Sequence, residues 1–376
     1  MNVKLSLMSI AIYGNPDQTW LSMKKIIPSL NSSYLEHLSG VESQFINDLS
    51  QVGLEKYATF VCLDGNLEKI SLVCKRITFD QLIIHIHGDF MEHISGWLDF
   101  FKSYSHFNIK LVCSTTAQKN LLKNVMSYES FVFPPFQLCN KRMSLPKKDS
   151  YKFIYFGRIS ENKNIDWLIQ YFDKFQLLTK RSDELIIRGP VDDIKCMVKD
   201  LYRISMNLDD YLVRLCTDVQ SKVNIQFGEF KITELDGADF FISLSTYHDE
   251  DYGLAAFEAI DRDLIPVLTN WGGYKSFNKA CGLKGINIKL TPKGASLDMM
   301  SFMSQMLTLV EGVEVEVSPL EKDSLNTIIS SQRFLSKENF EIIQRMEDFK
   351  GNTEFSEEFN KEGCLTYFSL YDGSYC

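Results

Sequence analysis

Short apolar runs alternate with amphipathic stretches along most of the chain, and the runs end at glycines, prolines or polar turns. In the first half, residues 3–13, Tyr57–Leu63, Gln81–Gly88, Phe107–Ser114 and Phe131–Pro135 read as strands: each is short, apolar and rich in β-branched or aromatic residues. Between them, Trp20–Leu30 (interrupted by Pro28), Val41–Val52 (stopped by Gly53), Leu67–Arg76 and residues 115–126 carry helical spacing. The second half continues the pattern. Residues 152–156, 184–188, Lys222–Phe227, Phe240–Leu244 and Leu264–Leu268 read as strands. Residues 165–177 (capped by Ser160 or Asn164), 192–204, 207–217, the segment after Gly253, 297–314, 319–332 and 337–349 read as helices. Regular alternation of this kind predicts an α/β protein whose parallel strands are covered by helices on both faces.

A length of 376 residues favours two domains. The polar, basic segment 141–150 reads as the linker, which gives domains over 1–148 and 149–345 and a tail over 346–376. No apolar run approaches the roughly 20 residues a membrane span needs. Met1–Tyr13 runs straight into Gly14-Asn15-Pro16 and reads as the first strand rather than a signal peptide. Nine dispersed cysteines without CxxC spacing fit reduced thiols, hence a cytoplasmic expectation. The net charge of −9 argues against general nucleic-acid binding. Its distribution is uneven: residues 1–148 hold 15 Lys and Arg against 12 Asp and Glu, the rest 25 against 37. An excess of three basic residues on a domain is within ordinary scatter, which is the favoured reading; the alternative is peripheral contact of the first half with an anionic membrane face.

Candidate chemistry concentrates in Tyr247–Ile260, YHDEDYGLAAFEAI. Two carboxylates, Glu250 and Glu258, stand eight positions apart. Glu250 falls in a loop at the carboxyl end of a strand, where open α/β sheets bind ligands, and Glu258 about one turn inside the next helix. The helix start at Gly253-Leu254 offers unpaired N–H groups to an anion. Asp249-Glu250-Asp251 is the nearest approach to a metal-binding D-x-D. In the first half, His85, His87 and Asp89 end a strand. They could be core histidines, or the H-x-H-x-D of a metal-dependent hydrolase.

Four features in order over residues 151–275 resemble the retaining glycosyltransferases of the GT-B fold, especially glycosyltransferase family 4. The Glu250–Glu258 pair matches the family's E-x(7)-E. Phe153–Asn164 (FIYFGRISENKN) is similar to a strand followed by G-R-x-x-x-x-K-N. Leu185–Pro190 is like the apolar strand ending in glycine, and Pro266-Val267 is followed by Gly272-Gly273. Pro134-Pro135-Phe136 departs from the Pro-Asn-Gly turn usual in the family.

The resemblance implies two Rossmann-like domains with a cleft between them, an acceptor domain first and a nucleotide-sugar donor domain second. It implies a sugar moved from a nucleotide-sugar to a saccharide, lipid-linked or protein acceptor, with retention. No cofactor and no metal are expected, because Arg158, Lys163 and a helix N-terminus suit the departing diphosphate. By the same resemblance Glu250 binds donor-sugar hydroxyls and Glu258 the ribose. Gly253 and Leu254 meet the diphosphate through backbone N–H groups, and Gly157, flanking Arg158, belongs to the same donor site. Gly228 and Phe230 lie near the base, and His87, ahead of His85, faces the donor sugar. A degenerate GT-B domain that binds without turnover is the non-enzyme alternative.

Overall fold

The computed structural model describes residues 10–15, 21–39, 41–51, 56–88, 90, 94–104, 106–126, 128–192, 207–246, 250, 252–291 and 294–335. They fall into two compact units: residues up to Gln137 together with those from Glu321 onward, and Leu138–Leu320.

In chain order the first unit contains β1 (Ile10–Tyr13), α1 (Leu21–His37), β2 (Ser43–Ile46), β3 (Lys56–Cys62), α2 (Leu67–Arg76), β4 (Thr78–Ile86), α3 (Ile94–Tyr104), β5 (Ile109–Cys113), α4 (Thr116–Met126) and β6 (Phe131–Val132). Its six strands form one sheet in the order β2-β1-β3-β4-β5-β6, parallel throughout. The central strands are apolar on both faces, as a sheet covered on two sides requires: Val61, Leu82, Ile83, Ile84, Leu111 and Val112 have no exposed surface.

The second unit contains β7 (Lys141–Leu145), β8 (Lys152–Phe156), α5 (Ile165–Thr179), β9 (Glu184–Gly189), α6 (Leu208–Asp218), β10 (Lys222–Phe227), β11 (Phe240–Ser243), α7 (Leu254–Asp261), β12 (Ile265–Leu268), α8 (Tyr274–Ala280), the hairpin β13 (Ile288–Thr291) and β14 (Gly294–Leu297), α9 (Met299–Val310) and β15 (Val313–Val317). Its main sheet runs β10-β9-β8-β11-β12, again parallel throughout. The order reverses between β8 and β11, the switch point at which such sheets open a crevice at their carboxyl ends. The expected α/β class with two parallel-sheet domains is therefore present.

Four expectations differ. Of the helix expected over Val41–Val52, the described residues 41–51 form none: β2 pairs along the edge of β1, and a 3-10 turn follows at Leu49–Gln51. Val41, Phe45 and Leu49 have helical spacing, but a free edge on β1 offers a ladder of hydrogen bonds that a short helix would have to forgo. The helix around Pro28 does not stop there but runs to His37, because Ile26, Ile27, Leu30 and Tyr34 form one buried stripe along it. Part of the expected linker is strand: β7 pairs antiparallel with β15. That strand also cuts short the helix expected over 297–314.

The chain then returns to the first unit at Glu321, and α10 (Leu325–Ser330) sets Leu325 and Ile328 into the first core. The fully buried Lys110 of β5 donates from Nζ to the carbonyls of Ile328 and Ile329, both at 2.8 Å. These are carbonyls that the end of a helix leaves without partners. The helices expected over 192–204 and 337–349 and the tail 346–376 lie outside the described residues. Among the described residues no helix is long and apolar enough to cross a membrane.

Candidate active site

In the second unit, the loop from β8 into α5 carries Gly157, Arg158 and Lys163. It passes through a 3-10 turn at Glu161–Lys163 and a left-handed residue at Asn164 (φ 55°). Asn164, expected as a helix cap, makes no capping bond. Its side-chain amide donates instead to the Leu244 carbonyl (2.7 Å) and to Thr246 Oγ1 (3.0 Å). The Thr246 N–H in turn donates to the Asn162 carbonyl at 3.1 Å. The loop after β8 is thereby laced to the loop after β11, across the switch point.

That lacing brings Lys163 to Glu250, 87 positions further on. Lys163 Nζ lies 2.5 Å from Glu250 Oε2, with 11% and 10% of the two side chains exposed. The backbone of Glu250 is held as well: the Gly273 N–H donates to its carbonyl at 2.5 Å. A Cβ on Gly272 would stand 2.4 Å from that carbonyl oxygen, so only glycine permits the approach. Tyr155 and Tyr274 lie close enough that the Glu250 charge, after burial, helps push both phenols up.

Arg158 goes elsewhere, pairing through Nη1 with Asp192 Oδ2 at 3.1 Å, and its carbonyl accepts from the Tyr155 hydroxyl at 2.5 Å. Gly157 follows β8 directly and donates to the Arg188 carbonyl at 3.1 Å. Gly253 caps α7 in the left-handed region (φ 85°), and a Cβ there would meet the Tyr274 ring at 2.7 Å. Leu254 opens α7, and Glu258 is its fifth residue, half-buried. Gly228 follows β10 and donates to the Gly189 carbonyl at 2.9 Å. The Phe230 ring stacks on Phe156, centroids 4.7 Å apart.

Tyr155, Tyr274, Ser243 and Thr246 escaped sequence reasoning. In the sequence they are a tyrosine inside an apolar run, a tyrosine after a turn and two strand-end hydroxyls; nothing local marks them.

In the first unit, His85 and His87 share one face of β4, rings 6.0 Å apart. His85 is a core histidine: buried, it meets the Tyr34 hydroxyl through Nε2 at 2.8 Å. His87 is half-buried at the strand end, and Nδ1 meets Ser114 Oγ at 3.4 Å. Burial pushes His87 down to about 4, partly opposed by the charge of Asp64. Asp89, Asp249 and Asp251 lie outside the described residues. Among the described residues no three His, Cys, Asp or Glu side chains gather as metal ligands.

Residues 140–291 match the family model of the glycosyl transferases group 1. The match holds every site residue named above from the second unit. Among solved structures, a trehalose-6-phosphate synthase is 8% identical, over 91% of this chain and 98% of its own, with a TM-score of 0.50. HepE of Anabaena, in complex with UDP and glucose, is 12% identical over 98% of this chain and 99% of its own, with a TM-score of 0.48. A mutant of S. aureus TarM, in complex with Fondaparinux, alpha-GlcNAc-glycerol and UDP, is 12% identical with a TM-score of 0.48. That match covers 84% of this chain but only 55% of TarM. This chain thus spans about half the length of TarM. Among curated proteins no sequence matches. At such identities structural likeness speaks for the fold alone. The fold is GT-B, with two Rossmann-like parallel-sheet domains. The family match lies within the second unit, and the structural likeness gives the fold of both.

Proposed function

We propose that the chain is a retaining glycosyltransferase of the family 4 type, moving a sugar from a nucleotide-sugar to a saccharide, lipid-linked or protein acceptor without a metal. The observation that carries this reading is the 2.5 Å contact between Lys163 and Glu250. The two residues come from separate motifs, and both stand at the carboxyl end of a sheet, at its switch point.

Each group has a role suited to its chemistry. A departing diphosphate gathers negative charge. Lys163, the start of α7 at Gly253 and Leu254, and Arg158 beside Gly157 supply positive charge and N–H donors without a metal. Glu250, acceptor-only when ionised, takes donor-sugar hydroxyls; Glu258, one turn along α7, takes ribose hydroxyls. Gly228 and Phe230 serve the base. His87, neutral at ordinary pH, is the sugar-facing histidine of the first unit. The mildly basic composition of the first half favours peripheral contact with the inner face of a membrane, on a cytoplasmic protein.

A thermal-shift screen with UDP-, GDP- and ADP-sugars, with and without EDTA, tests the reading. One nucleotide is expected to raise the melting temperature regardless of EDTA, and Glu258→Ala and Lys163→Ala to weaken that response. Undiminished donor affinity in both variants would sink the site assignment.

A further inference from the structure

Arg158 and Lys163, the side chains that the reading above gives to a diphosphate, each meet a carboxylate: Lys163 meets Glu250, and Arg158 meets Asp192. The second pair is built from two neighbouring loops, one after β8 and one after β9. Backbone bonds tie these loops together. The Ile159 N–H donates to the Pro190 carbonyl at 2.8 Å, the Asp192 N–H donates to the Ile159 carbonyl at 2.9 Å, and Ile159 and Val191 form a parallel bridge. Gly189 (φ 150°) permits the close approach: a Cβ there would stand 1.7 Å from the Gly157 carbonyl oxygen. The Tyr155 hydroxyl donates to the Arg158 carbonyl at 2.5 Å and so holds that residue's backbone as well. Asp192 thus faces Arg158 within a fixed frame. Arg158 Nη1 lies 3.1 Å from Asp192 Oδ2, with 34% and 29% of the two side chains exposed, so a dissolved ligand can reach the pair.

We propose that Asp192 is a positioning residue for Arg158: it fixes the plane of the guanidinium, so that the group is already aimed when the outer phosphate of a nucleoside diphosphate arrives. The proposal rests on the donor-site reading above. The chemistry of arginine makes the arrangement workable. A guanidinium is a flat fork of N–H donors, and two anions can lie along different edges of it at once. Asp192 can therefore stay in place while phosphate oxygens approach another edge. A partly exposed ion pair adds little to stability. The value of this one lies in orientation, because a long side chain ordered beforehand need not be ordered by the ligand. The charge of Asp192 works the other way, since it repels phosphate. Substitution separates the two effects. Asp192→Asn removes the charge and keeps an oxygen that accepts from Arg158, whereas Asp192→Ala removes both.

The test measures what the outer phosphate adds to affinity. Calorimetry compares UDP with UMP, GDP with GMP and ADP with AMP, using whichever pair the unaltered protein binds. In Asp192→Ala the diphosphate is expected to lose about twofold to tenfold in affinity, the equivalent of ordering one long side chain. The monophosphate should keep its affinity, and Asp192→Asn should restore most of the loss. Arg158→Gln is expected to remove the outer phosphate's share, and in that background Asp192→Ala should change nothing further, because it acts through Arg158. Three results in Asp192→Ala overturn the proposal. Equal weakening of both ligands would mean disturbed loop packing, tighter binding of the diphosphate would mean that Asp192 competes with phosphate, and unchanged affinity would mean that Arg158 needs no holder. Failure of the donor-site reading looks different: no diphosphate binds the unaltered protein, or Arg158→Gln leaves the outer phosphate's share intact, and the proposal falls with it. If Arg158→Gln abolishes that share while Asp192→Ala leaves it whole, only the role of Asp192 fails.

Discussion

Two opposite charges nine-tenths removed from water stand or fall together. Lys163 and Glu250 lose hydration on burial, and their contact offsets the loss only while both are present. Lys163→Met is therefore expected to destabilise the protein by about 1–3 kcal/mol, since it leaves Glu250 nearly buried without its cation. Adding Glu250→Gln should recover part of that loss, and urea denaturation of the two single variants and the double variant measures the coupling. Of this residue-level arrangement the sequence showed the partners but not the bond. Lys163 stood out because the G-R-x-x-x-x-K-N spacing is local, and Glu250 because E-x(7)-E is local. Tyr274 did not, because its hydroxyl partner, Ser243, lies 31 positions away.

Among the elements, α10 shows how a short helix is kept in place by a group from elsewhere. Six residues make a marginal helix by themselves. Lys110 donates to the two carbonyls near its end, Gln81 Nε2 adds a third bond to the Ile329 carbonyl (3.2 Å), and the Lys110 ammonium sits 4.9 Å from the Phe334 ring centroid. Replacing Lys110 by methionine keeps the apolar stem and leaves carbonyls unpaired. Amide exchange across Leu325–Ser330 should rise about tenfold or more relative to the rest of the first unit, read by mass spectrometry. Unchanged exchange would mean that core burial of Leu325 and Ile328 holds the helix alone. Long-range pairing also explains the misread segments. Residues 41–52 carry a fair helical spacing, but β1 had an edge to fill. The basic stretch 141–150 looks like a linker until β15, far along the chain, supplies a partner for β7.

For the molecule as a whole, the first unit carries an acid-sensitive element. His85 and His87 are both held neutral by burial, His85 well below its ordinary range and His87 at about 4 against 6.5 in the unfolded chain. Between pH 6.5 and about 4 the unfolded chain takes up a proton that folded His87 refuses, so stability is lost as the pH falls through that window. Urea denaturation across pH 4–7 should show a shallower decline for His87→Gln than for the unaltered protein, and an identical slope would remove His87 from the account.

The sequence alone determined the α/β alternation, the apolar central strands and the order of the motifs in the second half. Each of these is written in residues close together in the chain, where periodicity and spacing act. Only the tertiary structure decided that Lys163 meets Glu250, that the Tyr274 hydroxyl meets Ser243, that His85 belongs to the core and that Lys110 ends α10. These are contacts between side chains dozens to hundreds of positions apart. Burial and hydrogen bonding choose such partners once the sheets have formed, and no local pattern records the choice.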